Sequence, residues 1–498
     1  MIDLHKILGK PQIGLVKARD GEEVTAEFCL AGEDTYIELH ATSHSQFLEF
    51  SSDFLLLRMS DGTCLTFVDN VRDGTTDYPS TGRSVVRYFP HFVFLGSSGL
   101  TADYKLCSIS FSVDDAKAIF YDFGAFSIAL HRQDALKAIL VEDMDNIGRK
   151  VEWGEHPIIA YFTGKFRIMT ADTELGLVTV NHRPSYGSGS PGGIAIKNEI
   201  FVRLDLTQPT QISGVIGSLM QLLRFLQLIA GRQQKITGIS VMLEGAAEHE
   251  WLNVCWCLAW SRQRDGRQPH ARDMPINGGV EPAAFGAILT SWLSIDERRR
   301  VARTRFAETF AQGNHYTSER LVSAANMFDL LPSECFTTLN ALPPDFAQAR
   351  DDAIDLFDKL PESDLQLQAV RDLGRLGKHN LKSKILQRFE RLTASAGSKF
   401  SQLDQVLRKA VDARNYYVHG TSVSDKKLKF FREMMTFHTD ALEFVFASTE
   451  LLDAGWDYGG WASGGTSMSH PLGEFAANYR LRVDEYISKL AALGQTSA

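Results

Sequence analysis

The segment 401–420, SQLDQVLRKAVDARNYYVHG, constrains the fold of this chain more than any other stretch. Its apolar residues recur at helical spacing and form one continuous stripe, and they are Leu403, Val406, Leu407, Ala410, Val411, Tyr417 and Val418. Ser401 and Asp404 are spaced like a capping box, and Gly420 follows the last periodic residue. We therefore predict one helix from Ser401 to Gly420, packed in a bundle.

Three polar residues lie near the end of this predicted helix. At about 100° per residue, Arg414 falls in the middle of the apolar stripe, where a bundle helix normally has a leucine. Asn415 and His419 are four residues apart and therefore share a neighbouring face. The pattern predicts a polar site at the end of a buried helix. A structural role is the alternative, because arginine can bond helix carbonyls and histidine can complement the helix dipole.

The rest of the chain indicates an α+β multidomain protein. Residues 1–205 show alternating apolar residues and Gly-containing turns, which predict a β-rich N-terminal domain. Residues 206–314 are mixed and mainly helical, and we interpret them as a connecting part of the N-terminal region. Residues 315–498 have helical periodicity almost throughout and predict an all-α bundle. A length of 498 residues is ample for several buried cores.

Composition and the N-terminal sequence predict a cytoplasmic protein without a membrane segment. MIDLHKILGK lacks the apolar core of a signal peptide. The most apolar stretch, 212–230, contains Gln221, Arg224 and Gln227, which favours a core helix over a membrane span. Six scattered cysteines are typical of reduced thiols.

Basic residues are concentrated around the motif helix. Residues 365–435 contain fifteen Lys/Arg and six Asp/Glu, a local net charge of +9 in a chain of net charge −9. Such a region can bind a polyanion, since phosphate contacts depend on the local potential. The RNA-binding residues predicted from it are Lys378, Lys382, Lys384, Arg388 and Lys409. A solvated bundle face is the alternative, and it is the favoured interpretation of the five arginines in 298–305.

Other cofactor patterns are weak. Gly187, Gly189 and Gly192 match GxGxxG, but the following residues predict a strand instead of a helix, so we interpret 186–193 as a loop. His249, Cys255, Cys257 and His270 are zinc-ligand types without a CxxC pair, and whether they hold a structural zinc stays open. We expect no cofactor and no catalytic metal.

The segment RNYYVHG resembles the Arg-Asn-x-x-x-His signature of HEPN domains, which are helical bundles. The preceding LKSKILQRFERL and the helix Tyr316–Leu331 resemble the ApeA-like subgroup of these domains. In the earlier helix, Asn326 and Asp329 are candidate polar partners near a position where that subgroup suggests an acidic residue. The β-rich N-terminal half resembles the ApeA N-terminal domain.

The resemblance implies a bacterial antiphage abortive-infection factor with a metal-independent endoribonuclease domain. RNA carries its own nucleophile in the 2′-OH, so the enzyme needs only to move protons and stabilise charge. His419 would then act as general base or acid, Arg414 would hold the phosphate, and Asn415 would orient the phosphate or the imidazole.

The implied partners are single-stranded or loop RNA, with tRNA as one candidate, and a second copy of the chain in a homodimer or higher homo-oligomer. A phage-derived trigger is expected to act on the N-terminal domain. Two alternatives stay open: a noncatalytic HEPN module that binds RNA, nucleotide or protein, and a purely structural bundle.

Overall fold

The computed structural model describes residues 7–17, 23–41, 53–96, 99–130, 132–148, 152, 154–190, 193–259, 268–337, 342–377, 379–420, 422–465 and 467–494. Two compact units account for the chain. The first contains Met1–Ala230 and Gln234–Leu293, and the second contains Gly231–Gln233 and Ser294–Ala498. The predicted three-part division at 205 and 314 stays a prediction.

The first unit is built on antiparallel strands. In chain order they are β1 Gln12–Lys17, β2 Glu23–Cys29, β3 Tyr36–Ala41, β4 Phe54–Met59, β5 Cys64–Tyr78, β6 Arg83–Gly96, β7 Leu106–Val113, β8 Phe126–Leu130, β9 Ile158–Phe162, β10 Arg167–Thr173, β11 Gly176–Ser190, β12 Gly193–Thr210, β13 Ile236–Leu243 and β14 Trp251–Trp256. Four helices join them, namely α1 Ala116–Ile119, α2 Gln133–Ile147, α3 Ile212–Ala230 and α4 Pro282–Ser294.

One large sheet has the strand order β10-β11-β12-β7-β13-β14-β6-β3-β2-β1-β4-β5, and β5 also pairs with β6. The second pairing closes six strands into a ring, so the sheet is barrel-like at this end. Alternate side chains of these strands point inward and form a core that includes Val16, Phe28, Leu39 and Phe67. The predicted β-rich N-terminal part is confirmed.

Helix α3 is the single described helix that is long and apolar enough to cross a membrane. It packs against strands β7 and β12, and even its Arg224 and Gln227 are buried. The core-helix interpretation of this stretch is therefore confirmed for the described part of the chain.

The Gly-rich segment 186–193 is not the loop that its composition predicts. Strand β11 continues to Ser190 and β12 begins at Gly193, and the two strands pair from Gly176 with Leu206 to Ser190 with Gly193. Glycine and serine are accommodated here because the ladder hydrogen bonds come from the backbone. Residues 186–190 and 193 therefore belong to the two strands of a long hairpin, in which strand β12 and no helix begins at Gly193, and Gly192 lies outside the described residues.

The second unit is helical, as predicted. Its helices are α5 Asp296–Gln312, α6 Ser318–Asp329, α7 Pro344–Asp358, α8 Asp364–Leu373, α9 Leu381–Ala396, α10 Leu403–His419, α11 Asp425–Glu433, α12 Met435–Asp453, α13 Tyr458–Ser463 and α14 Pro471–Gly494. Helix α12 is the centre of the bundle, and α6, α9, α10 and α14 pack around it. Most of α12 is buried on all sides, in agreement with its mainly apolar sequence.

Helices α7 and α8 form a hairpin whose members pack against each other and bury no side chain completely. Large apolar side chains remain in solvent, among them Phe346 at 69% exposure and Leu365 at 79%. This hairpin lies between α6 and α9 in the chain and adds nothing to the bundle core.

Candidate functional site

Helix α10 carries the predicted site at its C-terminal end. Its apolar stripe is buried as predicted from Leu403 to Val411, whereas Val418 is 43% exposed and does not extend the buried stripe. Gly420 ends the helix in the left-handed conformation with φ of 62°, and its N–H bonds the Tyr416 carbonyl at 2.9 Å. One face of the helix is therefore buried, and its end at Val418 and His419 is exposed to solvent.

The start of α10 differs from the prediction. The helix begins at Leu403, its N-cap is Gln402 with φ of 69°, and no side chain caps the first turn. The capping box predicted from Ser401 and Asp404 is thus absent. Asp404 still lies in the first turn, where a carboxylate complements the helix dipole.

The structure brings Arg414, Asn415, His419 and Asn326 into one hydrogen-bonded group, which we call the Arg414 cluster. Arg414 donates from Nε at 3.1 Å and from Nη2 at 2.8 Å to Oδ1 of Asn326 on α6. Its Nη1 donates to Oδ1 of Asn415 at 3.1 Å. The same Nη1 lies 3.4 Å from Nε2 of His419.

The chemistry of these contacts defines what the cluster can do. A guanidinium has only donors, so its contact with His419 requires Nε2 to be the unprotonated nitrogen. A neutral imidazole with that lone pair in the site can accept a proton. At 3.4 Å the bond to His419 is the longest of the four, and a phosphate oxygen can readily take its place.

Asn326 supplies a neutral acceptor where the earlier resemblance suggested an acidic residue. Asp329, the other candidate partner, accepts from Lys384 Nζ at 3.1 Å and makes none of the Arg414 hydrogen bonds. Because an amide orients a guanidinium without cancelling its charge, Arg414 keeps a full positive charge for an anionic ligand.

Two regions of the chain match known protein families. Residues 12–292 match the ApeA N-terminal domain 1, and residues 322–459 match the Apea-like HEPN domain. The chain belongs to the ApeA-like HEPN family. The matches are those of a HEPN-type defence protein, and HEPN domains are generally associated with ribonucleases. Searches of curated proteins and of solved structures give no match.

The HEPN match includes both helices of the Arg414 cluster, α6 from residue 322 onward and all of α10. Asn326 therefore belongs to the same domain as Arg414 and His419, although 88 residues separate it from Arg414 in sequence. The cluster is a feature of this HEPN bundle and needs no residue from the β-rich unit.

Three of the four predicted RNA-binding lysines of the HEPN bundle are held in ion pairs. Lys382 and Lys409 both contact Asp412, at 3.0 and 3.3 Å, and Lys384 contacts Asp329 at 3.1 Å. Burial alone would raise the pKa of Asp412, but these two lysines hold it below its ordinary value. Lys378 lies outside the described residues. Their roles in RNA binding stay predictions.

The prediction that Arg388 binds RNA is wrong for this fold. Its side chain is 3% exposed and lies against α12, where Nη1 contacts Asp453 at 2.7 Å and Nη2 contacts Glu450 at 3.3 Å. Its Nε donates to Thr449 Oγ1 at 3.1 Å. Arg388 is thus a buried ion-pair partner that holds α9 to α12, with no donor face for RNA.

The same buried network corrects the interpretation of the arginines in 298–305. Arg299 contacts Glu450 at 2.7 Å and Arg303 contacts Glu450 at 2.7 Å, and both side chains are at most 10% exposed. Only part of that helix face is solvated, as at Arg298, which is 60% exposed. Burial alone would raise the pKa of Asp453, but Arg388 and Arg299 hold it below its ordinary value.

The possible zinc ligands do not form a site among the described residues. No group of three or more His, Cys, Asp or Glu side chains suited to a metal occurs there. Burial raises the pKa of Cys255 to about 11 and that of Cys257 to about 12, which disfavours the thiolate that zinc requires. His270 instead accepts the Arg272 N–H as a helix cap.

Sequence reasoning did not single out two cations on the helix that follows the motif. Lys427 and Arg432 lie on α11, which begins five residues after Gly420, and no described carboxylate lies within 4.0 Å of either side chain. A count of charges along the sequence includes them but cannot separate them from lysines that are neutralised by distant carboxylates.

Proposed function

We propose that this chain is a metal-independent endoribonuclease of antiphage defence that cuts RNA at the Arg414 cluster. The observation that carries the proposal is the position of the imidazole Nε2 of His419, 3.4 Å from the guanidinium Nη1 of Arg414 at an exposed helix end. A proton acceptor and a phosphate-binding cation at this distance are what cleavage by the RNA 2′-OH requires.

In the proposed reaction, His419 Nε2 accepts the proton of a ribose 2′-OH. The O2′ atom attacks phosphorus, and the bond between phosphorus and O5′ breaks. The departing O5′ takes up a proton, so the products are a 2′,3′-cyclic phosphate and a 5′-OH. Arg414 stabilises the charge that develops on the phosphate oxygens, while Asn326 and Asn415 fix the plane of its guanidinium.

The proposed substrate is single-stranded or loop RNA, tRNA included. The cluster lies at a helix end, and an unpaired strand can place its 2′-OH against His419 without opening a duplex. Within this proposal the β-rich unit holds the HEPN domain inactive or targets it until a phage-derived trigger binds, in a cytoplasmic setting.

We further propose that two copies of the chain bring two Arg414 clusters together. Val418 supports this part of the proposal, because it is 43% exposed in the motif and lies one turn from Arg414. A second cluster would provide the proton for the departing O5′. Light scattering on the full chain should give a dimer or larger assembly that Val418→Asp shifts to the monomer. A monomeric unaltered chain would contradict pairing.

The test of function uses full-length protein, alone and with lysate of phage-infected cells, on total RNA in EDTA. We expect fragments with 2′,3′-cyclic phosphate ends from the unaltered protein and none from His419→Ala. Lys429→Gln is the matched control, since Lys429 is exposed and outside the cluster. Equal cleavage by His419→Ala, or no cleavage by the unaltered protein, would contradict the proposal. RNA retention without cutting would instead support a noncatalytic HEPN module.

A further inference from the structure

Helix α11 carries two cations beside Phe431, whose ring contacts the motif helix. The Nζ of Lys427 lies 5.5 Å from the centre of the Phe431 ring, and Phe431 in turn contacts Tyr416 with ring centres 6.3 Å apart. Tyr416 is three residues before His419, so it lies on the flank of α10 that leads to the imidazole.

Arg432 lies on the other flank of the motif. Arg432 directly follows Phe431, whose ring contacts Tyr416, and its charge opposes the rise that burial causes in the pKa of the Tyr417 phenol. Tyr417 is three residues after Arg414 and therefore lies on the same side of α10. The two cations thus lie on the two sides of Phe431, whose ring contacts Tyr416 near the end of α10.

The geometry of α11 separates these cations from its other two. At about 100° per residue, Lys427 and Arg432 lie on either side of Phe431, a buried residue whose ring contacts Tyr416 of α10. Lys426 and Lys429 lie about 140° and 160° from Phe431 and point away from the motif. The helix therefore has a motif-facing pair and an outward-facing pair of cations.

Between the two flanks are the tyrosines of the motif. The rings of Tyr416 and Tyr417 contact each other with centres 5.2 Å apart, and both are partly exposed. Cations alternating with aromatic rings suit single-stranded nucleic acid, because phosphates bind the charges and bases stack on the rings. An ordinary solvated helix face needs no such alternation.

We infer that Lys427 and Arg432, together called the α11 cation pair, bind RNA phosphates on the two sides of the bond that is cut. The inference rests on the proposed function and extends it by assigning the strand-binding subsite. Because neither cation has a described carboxylate within 4.0 Å, phosphate binding there breaks no ion pair. The pair holds the strand across the end of α10, with its scissile phosphate at Arg414.

The test measures binding of a fluorescent single-stranded RNA to full-length His419→Ala protein at several salt concentrations. Replacing both Lys427 and Arg432 by Gln should weaken binding about tenfold and lower the slope of log Kd against log salt by about 1.4, at about 0.7 per lost phosphate contact. The matched control replaces Lys426 and Lys429 by Gln, which removes the same charge from the outward face and should leave the slope nearly unchanged.

Two results would overturn the inference. Equal losses from the two pairs would show only general attraction to a basic helix, and an unchanged slope for Lys427→Gln/Arg432→Gln would show that the pair does not touch RNA. Thermal unfolding of each variant identifies any loss that comes from misfolding, and Arg432→Lys, which keeps the charge, should retain the slope. If Arg414→Ala weakens binding while the α11 cation pair does not, the proposed function stands without this subsite. If the His419→Ala protein binds no RNA, both fail.

Discussion

Arg414 donates two hydrogen bonds to a single oxygen, Oδ1 of Asn326, at 3.1 and 2.8 Å. This contact joins α10 to α6 and fixes the plane of the guanidinium before any ligand binds. Since Asn326 is neutral, the bond orients the arginine and preserves its charge. Preorganised charge of this kind is what a phosphate transition state needs.

Asn326→Asp should keep the hydrogen bonds and remove activity. The added carboxylate neutralises Arg414, and charge-assisted bonds to phosphate contribute about 1.5–3 kcal/mol each, so RNA cleavage at limiting substrate should fall about 10- to 100-fold. The control is Asn326→Ala, which keeps the arginine charge. The salt dependence of its cleavage rate should therefore change less than that of Asn326→Asp. Initial cleavage rates measure the effect, and an undiminished rate for Asn326→Asp would be inconsistent with the assigned role of Arg414.

Arg388→Met should destabilise the helical unit and leave RNA contacts intact. Removing one partner from a buried ion pair typically costs about 3–5 kcal/mol, because charges such as Glu450 lose their compensation. Arg391 provides the comparison, since its side chain is 47% exposed and its contact with Asp453 is 3.4 Å. Urea unfolding followed by circular dichroism should show a large loss of unfolding free energy for Arg388→Met and not for Arg391→Met. Equal stability of the two variants would mean that the network is not what holds α9 to α12.

The stability of the helical unit should fall as pH drops below neutral because of His438. Burial lowers the pKa of this imidazole to about 3, and its Nε2 lies 3.0 Å from the Tyr486 hydroxyl. A histidine in the unfolded chain has a pKa of about 6.5. Below that pH the unfolded chain binds a proton at His438 that the folded chain does not bind. The stabilisation is complete above the unfolded pKa and declines as pH falls towards 3.

Between pH 7 and pH 5, the free energy of unfolding of the unaltered protein should fall by about 2 kcal/mol more than that of the His438→Gln protein, which has no imidazole to titrate at this position. Urea unfolding at several pH values gives the difference. The comparison is restricted to pH 5 and above because ordinary carboxylates have pKa values below that pH and contribute little to the change in stability there. Parallel stability curves for the two proteins would contradict a neutral, buried His438.

Removal of the α7–α8 hairpin should leave the bundle folded. Neither helix has a completely buried side chain, so replacing residues 343–377 by a short Gly/Ser linker loses little core. We expect the free energy of unfolding to change by less than about 1 kcal/mol, in keeping with substitutions at exposed sites. A loss of several kcal/mol in chemical denaturation would show that the hairpin supports the bundle.

The motif residues could be predicted from sequence because they are local. Arg414, Asn415 and His419 lie within two turns of one helix, and Gly420 marks its end, so helical geometry alone brings them together. The start of the helix was less predictable, since Ser401 and Asp404 match a capping box and yet Gln402 takes the N-cap position.

The state of each cation could not be predicted, because its partner comes from another helix. Lys384 and Asp329 are 55 residues apart, and Arg388 and Glu450 are 62 residues apart. In the sequence, Arg388 lies in an amphipathic helix, and its pattern does not differ from that of a solvated arginine. Only the packing of α9 against α12 shows that it is buried, and only the contact of Phe431 with Tyr416 shows which face of α11 lies against the motif helix.

The most direct test of the central claim is cleavage of an RNA oligonucleotide that carries one 2′-deoxy nucleotide. The cleavage site is first mapped with the unmodified RNA, and the deoxy sugar is then placed immediately 5′ of the bond that is cut. If the RNA supplies its own nucleophile to the Arg414 cluster, cleavage at that bond disappears while binding persists. Continued cleavage at the deoxy position would contradict the account.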